Sequence, residues 1–390
     1  MAFPAPHASG AVRLDPQDSD RIRIGRTVCI FMMMFVHVQP GVADNVNARP
    51  AEGVFDIVYF LLTRVMGLSS VALLSIVSGY LIVSTIAKMG PLRLYRSKAQ
   101  TLLVPLVAWN AVMLACIVGY GLLSGKWDKL PALDAMGLAN GFLAITEWPM
   151  VVPLWFLRDL FVCCLFTPIL LAGLRRAPLA TAGALLLFAF FGEPLHLLQR
   201  PPLMLFFAAG LWLRERGLSR DDLDRIAAPL SLALLPIVAV FLVVRMNQGS
   251  IVSWSEDAST ALDIALRFSM AAAIWRLTGL LATLRFGKLC RELEPYVFFA
   301  FCSHAILFDY GQILLRRAFG NYGSDLFPIT FFGLPFAALA TSVVALQIIG
   351  RVSPLLYLLN AGRAVPSWPP QLERPQKRAA VSPEARRHRT

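Results

Sequence analysis

Apolar residues run along this chain in long, nearly charge-free stretches, unlike the alternating or one-sided spacing of a fold that faces water. The stretches lie at 27–42, 67–87, 101–123, 153–174, 179–193, 201–213, 227–245, 258–284, 294–315 and 329–350, parted by short charged breaks. A helix needs about 20 residues to cross a bilayer, and within hydrocarbon only helices or closed barrels satisfy their own backbone. The pattern therefore predicts an all-α polytopic membrane protein with about ten transmembrane helices. The fifth and sixth stretches are short, and the Glu193-Pro194 to Pro201-Pro202 segment between them predicts a tight re-entrant pair. The stretch 54–66 is too short to span and carries Asp56 and Arg64, which predicts an interfacial or half-inserted helix.

Composition narrows the class. Of 390 residues, 57% are apolar and 15% charged, and the mean hydropathy is +0.63. A soluble domain sits nearer about 45–50% and 25%. A disordered chain, a secreted disulfide scaffold and an ordinary cytosolic enzyme are excluded. Residues 1–20 hold no apolar core of signal-peptide length, so the first apolar run is expected to stay as an anchor. The six cysteines fall mostly inside apolar runs without CxxC spacing. They read as small apolar residues, and no metal site is expected.

Charge then sets the topology. Lys and Arg number 36 against 24 Asp and Glu, a net charge of +12. The charges alternate with membrane-length apolar runs, which points away from nucleic acid. With a cytoplasmic N-terminus, the cytoplasmic breaks hold Arg21/Arg23/Arg26, Lys88/Arg93/Arg96/Lys98, Arg175/Arg176, Arg285/Lys288/Arg291 and the Arg-rich tail. The opposite breaks are near neutral or acidic, apart from Arg316/Arg317, so the positive-inside rule places both termini in the cytoplasm. The expected organisation is a disordered N-terminus at 1–20, an integral membrane domain at 21–358 and a disordered basic tail at 359–390 held near anionic lipid headgroups. No internal repeat is visible, which counts against a transporter built from related halves.

Ionisable groups inside a bilayer cost roughly 2.5–3.5 kcal/mol each on insertion scales, so each one needs a partner or a function. His37 lies 11 residues beyond Arg26 and His304 lies ten beyond Glu294, depths of about 16 and 15 Å along their helices. Two histidines at matched depth are either a reaction centre or interhelical hydrogen-bonding residues. Arg93 and Arg96 share a helix face, either as a clamp for a diphosphate or phosphorylated ribose or as a topology signal. In PLWFLRDLFV, Arg158 holds a sugar hydroxyl or an oxyanion, or else serves structure. Trp155 sits at the depth of an aromatic belt. Asp159 follows Arg158 at about 100° around the helix and is not an obvious partner for it. Asp263 and Arg267, four residues apart, are read as satisfying one another.

Taken in order, these features resemble the acyltransferase-3 family of bacterial inner-membrane proteins, which O-acylate exported carbohydrates. The family's basic residue, ten intervening residues and histidine appear as Arg26 and His37; its SGF/YLI-like stretch appears as Ser78-Gly79-Tyr80-Leu81-Ile82. Its R-x-x-R motif appears as Arg93 to Arg96, followed by LLVPLVAWN; PLWFLRDLF and FFAFCSHAIL around His304 are also similar. The match covers roughly residues 20–350. Many members have WSLxxE where this chain has WFLRD, and the outer hydrolase-like domain of some members is not expected within these 390 residues.

The resemblance implies a multi-pass inner-membrane enzyme that moves an acyl group, acetyl or succinyl, from cytoplasmic acyl-CoA to an exported polysaccharide or lipid-linked saccharide, such as the β-glucan cellulose. Arg26, Arg93 and Arg96 would bind acyl-CoA, and His37 would act as general base or acyl carrier with His304 beside it. Arg158 and Trp155 would lie on the acceptor side. Polysaccharide synthase components are the expected protein partners. A transporter or flippase for a small anion or lipid-linked sugar, and a non-catalytic subunit of a polysaccharide synthase, are the alternatives.

Overall fold

The computed structural model describes residues 15–43, 45–48, 51–127, 129–246 and 256–365. Among them every regular element is a helix. In chain order these are α1 (Pro16–Met34), α2 (Val54–Phe60), α3 (Leu68–Lys98), α4 (Val104–Ser124), α5 (Ala135–Leu143), α6 (Trp155–Arg176) and α7 (Pro178–Phe191). They continue as α8 (Pro202–Glu215), α9 (Arg220–Met246), α10 (Glu256–Leu281), α11 (Arg285–Phe319), α12 (Phe327–Ile349) and α13 (Ser353–Asn360). Each predicted apolar stretch falls on a helix. Six helical stretches are long and apolar enough to cross a membrane, by length and composition, among the described residues. At 14 residues each, α7 and α8 are shorter than the roughly 20 of a perpendicular crossing. They pack directly against one another.

Local chemistry sets the helix ends. Asp15 caps α1 by accepting from the Gln17 amide at 3.0 Å with Pro16 in the first turn. Gly125, at φ 72°, ends α4 in the left-handed conformation that glycine adopts without a Cβ clash. Gly90, at φ 75° and ψ 170°, breaks α3 just before Pro91, where the chain turns back. The segment Pro91–Lys98 then runs through a π-helical turn, Ala99–Leu103, into α4. The stretch 54–66 is not a separate interfacial helix: α2 passes through the π-helical turn Leu61–Gly67 directly into α3. Its Arg64 pairs with Asp263 at 2.7 Å, which draws the turn into the bundle.

Ion pairs tie the bundle together at the end where α1 begins. Arg21 forms a bidentate pair with Asp224 at 2.7 and 2.9 Å, and Arg220 meets Asp18 at 2.8 Å. Arg175 meets Glu215 at 2.6 Å. At the opposite end Tyr322 donates to Asp56. Helices α3 and α8 approach closely because both carry glycine at the crossing: a Cβ on Gly79 would lie 2.0 Å from the Phe207 carbonyl oxygen, and one on Gly210 would lie 1.9 Å from that of Ile76. Leu232, Leu235 and Val243 of α9 stay exposed, an outward apolar surface that suits lipid rather than water.

Candidate active site

Helix α1 ends at Met34, and a single 3₁₀ turn, Phe35–His37, carries the chain out of it. His37 is thus the last residue of that turn rather than a mid-helix residue. The π-helical turn Leu61–Gly67 packs against it, with Gly67 close enough to Val36 and Met32 that a Cβ would meet them at 2.4 and 3.0 Å. Such turns often occur at functional sites. On the facing side, α11 presents His304. The two imidazole rings are 5.1 Å apart, centroid to centroid, at 57°. His304 is fully buried between Phe301 and Phe308, whereas His37 is partly exposed.

Hydrogen bonding assigns the His304 tautomer. Its Nδ1 lies 2.7 Å from the Phe301 carbonyl oxygen and 3.1 Å from that of Ala300. Carbonyl oxygens only accept, so Nδ1 carries the proton and Nε2 keeps a lone pair. That Nε2 is buried with no hydrogen-bond partner, although buried polar groups are almost always satisfied. His37 likewise makes no hydrogen bond among the described residues. The arrangement leaves a buried, unsatisfied His304 Nε2 beside the His37 ring, suited to accept from a hydroxyl or water.

The other residues singled out by sequence are spread more widely. Arg26 meets Glu294 at 3.3 Å, and Arg23 approaches the same carboxylate at 4.0 Å. Arg93 and Arg96 are exposed on the Pro91–Lys98 segment, and among the described residues no hydrogen bond or ion pair joins them to Arg26. Arg158 contacts Asp159 at 2.9 Å and also donates to the carbonyls of Leu197, His196 and Ile145 at 2.6, 3.1 and 3.2 Å. Asp159, fully buried, accepts from the amides of Gln199 and Arg200 at 3.1 and 3.0 Å. Although the two residues leave the helix about 100° apart, the long guanidinium bends back to its neighbour, and together they hold the 192–200 loop. Trp155 lines a cavity of about 230 Å³ with Arg64, Glu193, Gln199, Arg200 and Asp263. Asp263 takes Arg267 at 2.6 Å as expected from their spacing, and Arg64 as well.

Several motif residues hold helices and loops of the bundle together. Tyr80 accepts from Arg214 at 3.0 Å. Asn110 accepts from the Val151 amide at 2.8 Å and donates to Phe142, fixing the loop ahead of Trp155. Trp109 donates to the Leu359 carbonyl at 2.9 Å, anchoring α13. Residues 359–365, assigned to the basic tail by composition, continue this packing: Asn360 is fully buried, and the Arg363 guanidinium lies 3.9 Å above the Phe298 ring. An apolar octet behind Ser353-Pro354 was the available signal for a further helix. The remainder of the tail, 366–390, lies outside the described residues.

The chain matches the family model described as an acyltransferase domain over residues 20–348, and it belongs to that acyltransferase-3 family. It is similar to the succinoglycan biosynthesis protein ExoH of Rhizobium meliloti (strain 1021), 29% identical over 392 residues that cover 96% of this chain and all of the relative. No solved structure matches it.

Proposed function

We propose that this acyltransferase takes its acyl group from acyl-CoA at the arginine-rich, cytoplasmic end of the bundle and transfers it to a hydroxyl of an exported polysaccharide, from the inner membrane of a bacterium. The polysaccharide class rests on the relative's part in succinoglycan biosynthesis. The single observation that most supports the chemistry is the His37–His304 pair at 5.1 Å with the unsatisfied His304 Nε2 beside it.

In this reading His37 is the general base. It removes the proton from the acceptor hydroxyl as the hydroxyl oxygen attacks the thioester carbonyl. The tetrahedral intermediate collapses, the carbon–sulfur bond breaks, and the proton returns from the imidazolium to the departing CoA thiolate. His304, its tautomer held by the Phe301 carbonyl, acts as a fixed acceptor that orients the hydroxyl or a bridging water. Arg26, Arg93 and Arg96 contribute positive charge for the CoA phosphates, and Trp155 offers an aromatic face to the sugar. Acetyl and succinyl groups are the donors to compare, and succinoglycan and the β-glucan cellulose the acceptors.

The test uses membrane vesicles containing the full chain, supplied with labelled acetyl-CoA or succinyl-CoA and either polysaccharide. Label is expected in the polysaccharide with wild type and not with His37→Ala at equal protein level. Full labelling by the variant, or labelling independent of acyl-CoA, would overturn the proposal.

A further inference from the structure

The turn after α13 sets a cation against α11. Ala361 and Gly362 both have positive φ, 54° and 67°, and a left-handed conformation is uncommon for a residue with a Cβ. The strain is held in place from both sides. Trp109 binds the Leu359 carbonyl at 2.9 Å, Asn360 donates to the Arg363 carbonyl at 3.3 Å, and the Arg363 amide returns to Asn360 at 3.1 Å. The two left-handed residues reverse the chain, so that the Arg363 guanidinium lies over the Phe298 ring at 3.9 Å.

Phe298 is four residues beyond Glu294 and six before His304, about 6 Å and 9 Å along α11. Arg363 therefore stands between the charged end of the bundle and the histidine pair. Arg363 is exposed to solvent, and the Phe298 ring beneath its guanidinium is only 6% exposed. Glu294 is its one carboxylate neighbour among the described residues, and Arg26 and Arg23 already share that carboxylate at 3.3 and 4.0 Å. Arg363, over Phe298 one helical turn beyond Glu294, thus adds a third guanidinium near a carboxylate that two others already share.

We propose that Arg363, with Arg26, forms an anion site within the donor path, binding a negatively charged group of acyl-CoA on its way to His37. This rests on the acyl-CoA reading above. The anion is either a phosphate of the CoA moiety or the terminal carboxylate of a dicarboxylic acyl group, and both suit a guanidinium fork.

The experiment measures equilibrium binding of acetyl-CoA and succinyl-CoA to the purified full chain and to Arg363→Ala and Arg363→Gln, with thermal midpoints recorded alongside. Losing a charge-assisted hydrogen bond should raise Kd about ten- to a hundredfold. A loss for both donors identifies the phosphate, and a loss confined to succinyl-CoA identifies the carboxylate. Unchanged binding of both donors by a folded variant overturns the inference while leaving the acyl-CoA reading intact. Failure of wild type to bind either donor defeats that reading and this one together. The glutamine variant keeps a polar side chain over Phe298, so it tests the charge if the alanine variant does not fold.

Discussion

If His37 and His304 act as one unit, their substitutions should fail to add. A positioned general base contributes about 10²- to 10⁴-fold, or about 2.7–5.5 kcal/mol of barrier. With rings 5.1 Å apart and His304 Nε2 unsatisfied, His304 would then work on the same proton transfer as His37. Either single loss should therefore remove most of what the pair supplies. Independent contributions of that size would multiply to about 10⁴- to 10⁸-fold in the double variant, whereas a shared one leaves it within a few-fold of the worse single variant. His37→Ala, His304→Gln and the double variant would be compared by acyl transfer from labelled acyl-CoA in vesicles, normalised to protein level. His37 makes no hydrogen bond among the described residues, so its loss should barely move the thermal midpoint. His304 is fully buried, and glutamine is chosen there to limit the cavity. Multiplicative losses, or wild-type transfer by His304→Gln, would refute the shared role.

Other consequences follow from the packing. Gly79→Ala should destabilise the protein by at least the 1–3 kcal/mol typical of overpacking, because its Cβ would lie 2.0 Å from the Phe207 carbonyl oxygen; the thermal midpoint in detergent measures this. Asp159→Ala leaves Arg158, 12% exposed, without its carboxylate and frees two loop amides, at a cost of about 3–5 kcal/mol. Limited proteolysis should then cut the 192–200 loop, and a loop as resistant as in wild type would show that the pair does not hold it. Arg93→Ala with Arg96→Ala should leave the midpoint within about 0.5 kcal/mol of wild type, as for exposed positions, while acyl-CoA binding weakens. Unchanged binding would move the donor site away from this segment.

The helices were legible because each apolar stretch satisfies its own backbone wherever it lies, so run length and charge spacing suffice to place it. Gly90-Pro91 and Asp15-Pro16 mark their breaks and caps by local stereochemistry alone. The joining of 54–66 to α3 was not legible. A π-helical turn has no composition of its own, and Arg64 enters the bundle only because Asp263, far along the chain, waits there. The motif residues divide in the same way. Gly79 and Asn110 carry backbone contacts between helices and loops, information that a spacing pattern does not contain.

By itself, then, the sequence determined an all-helical membrane chain, its orientation signals and the short roster of ionisable residues within it, since these depend on local composition against a low-dielectric solvent. The tertiary structure decided which of those residues meet. It brought the two histidine rings within 5.1 Å of one another, turned Arg158 onto loop carbonyls, left Arg93 and Arg96 exposed, and laid Arg363 of the apparent tail over the Phe298 ring. Side-chain direction depends on helix rotation, local turns and distant partners, and each of these is fixed only when the helices pack.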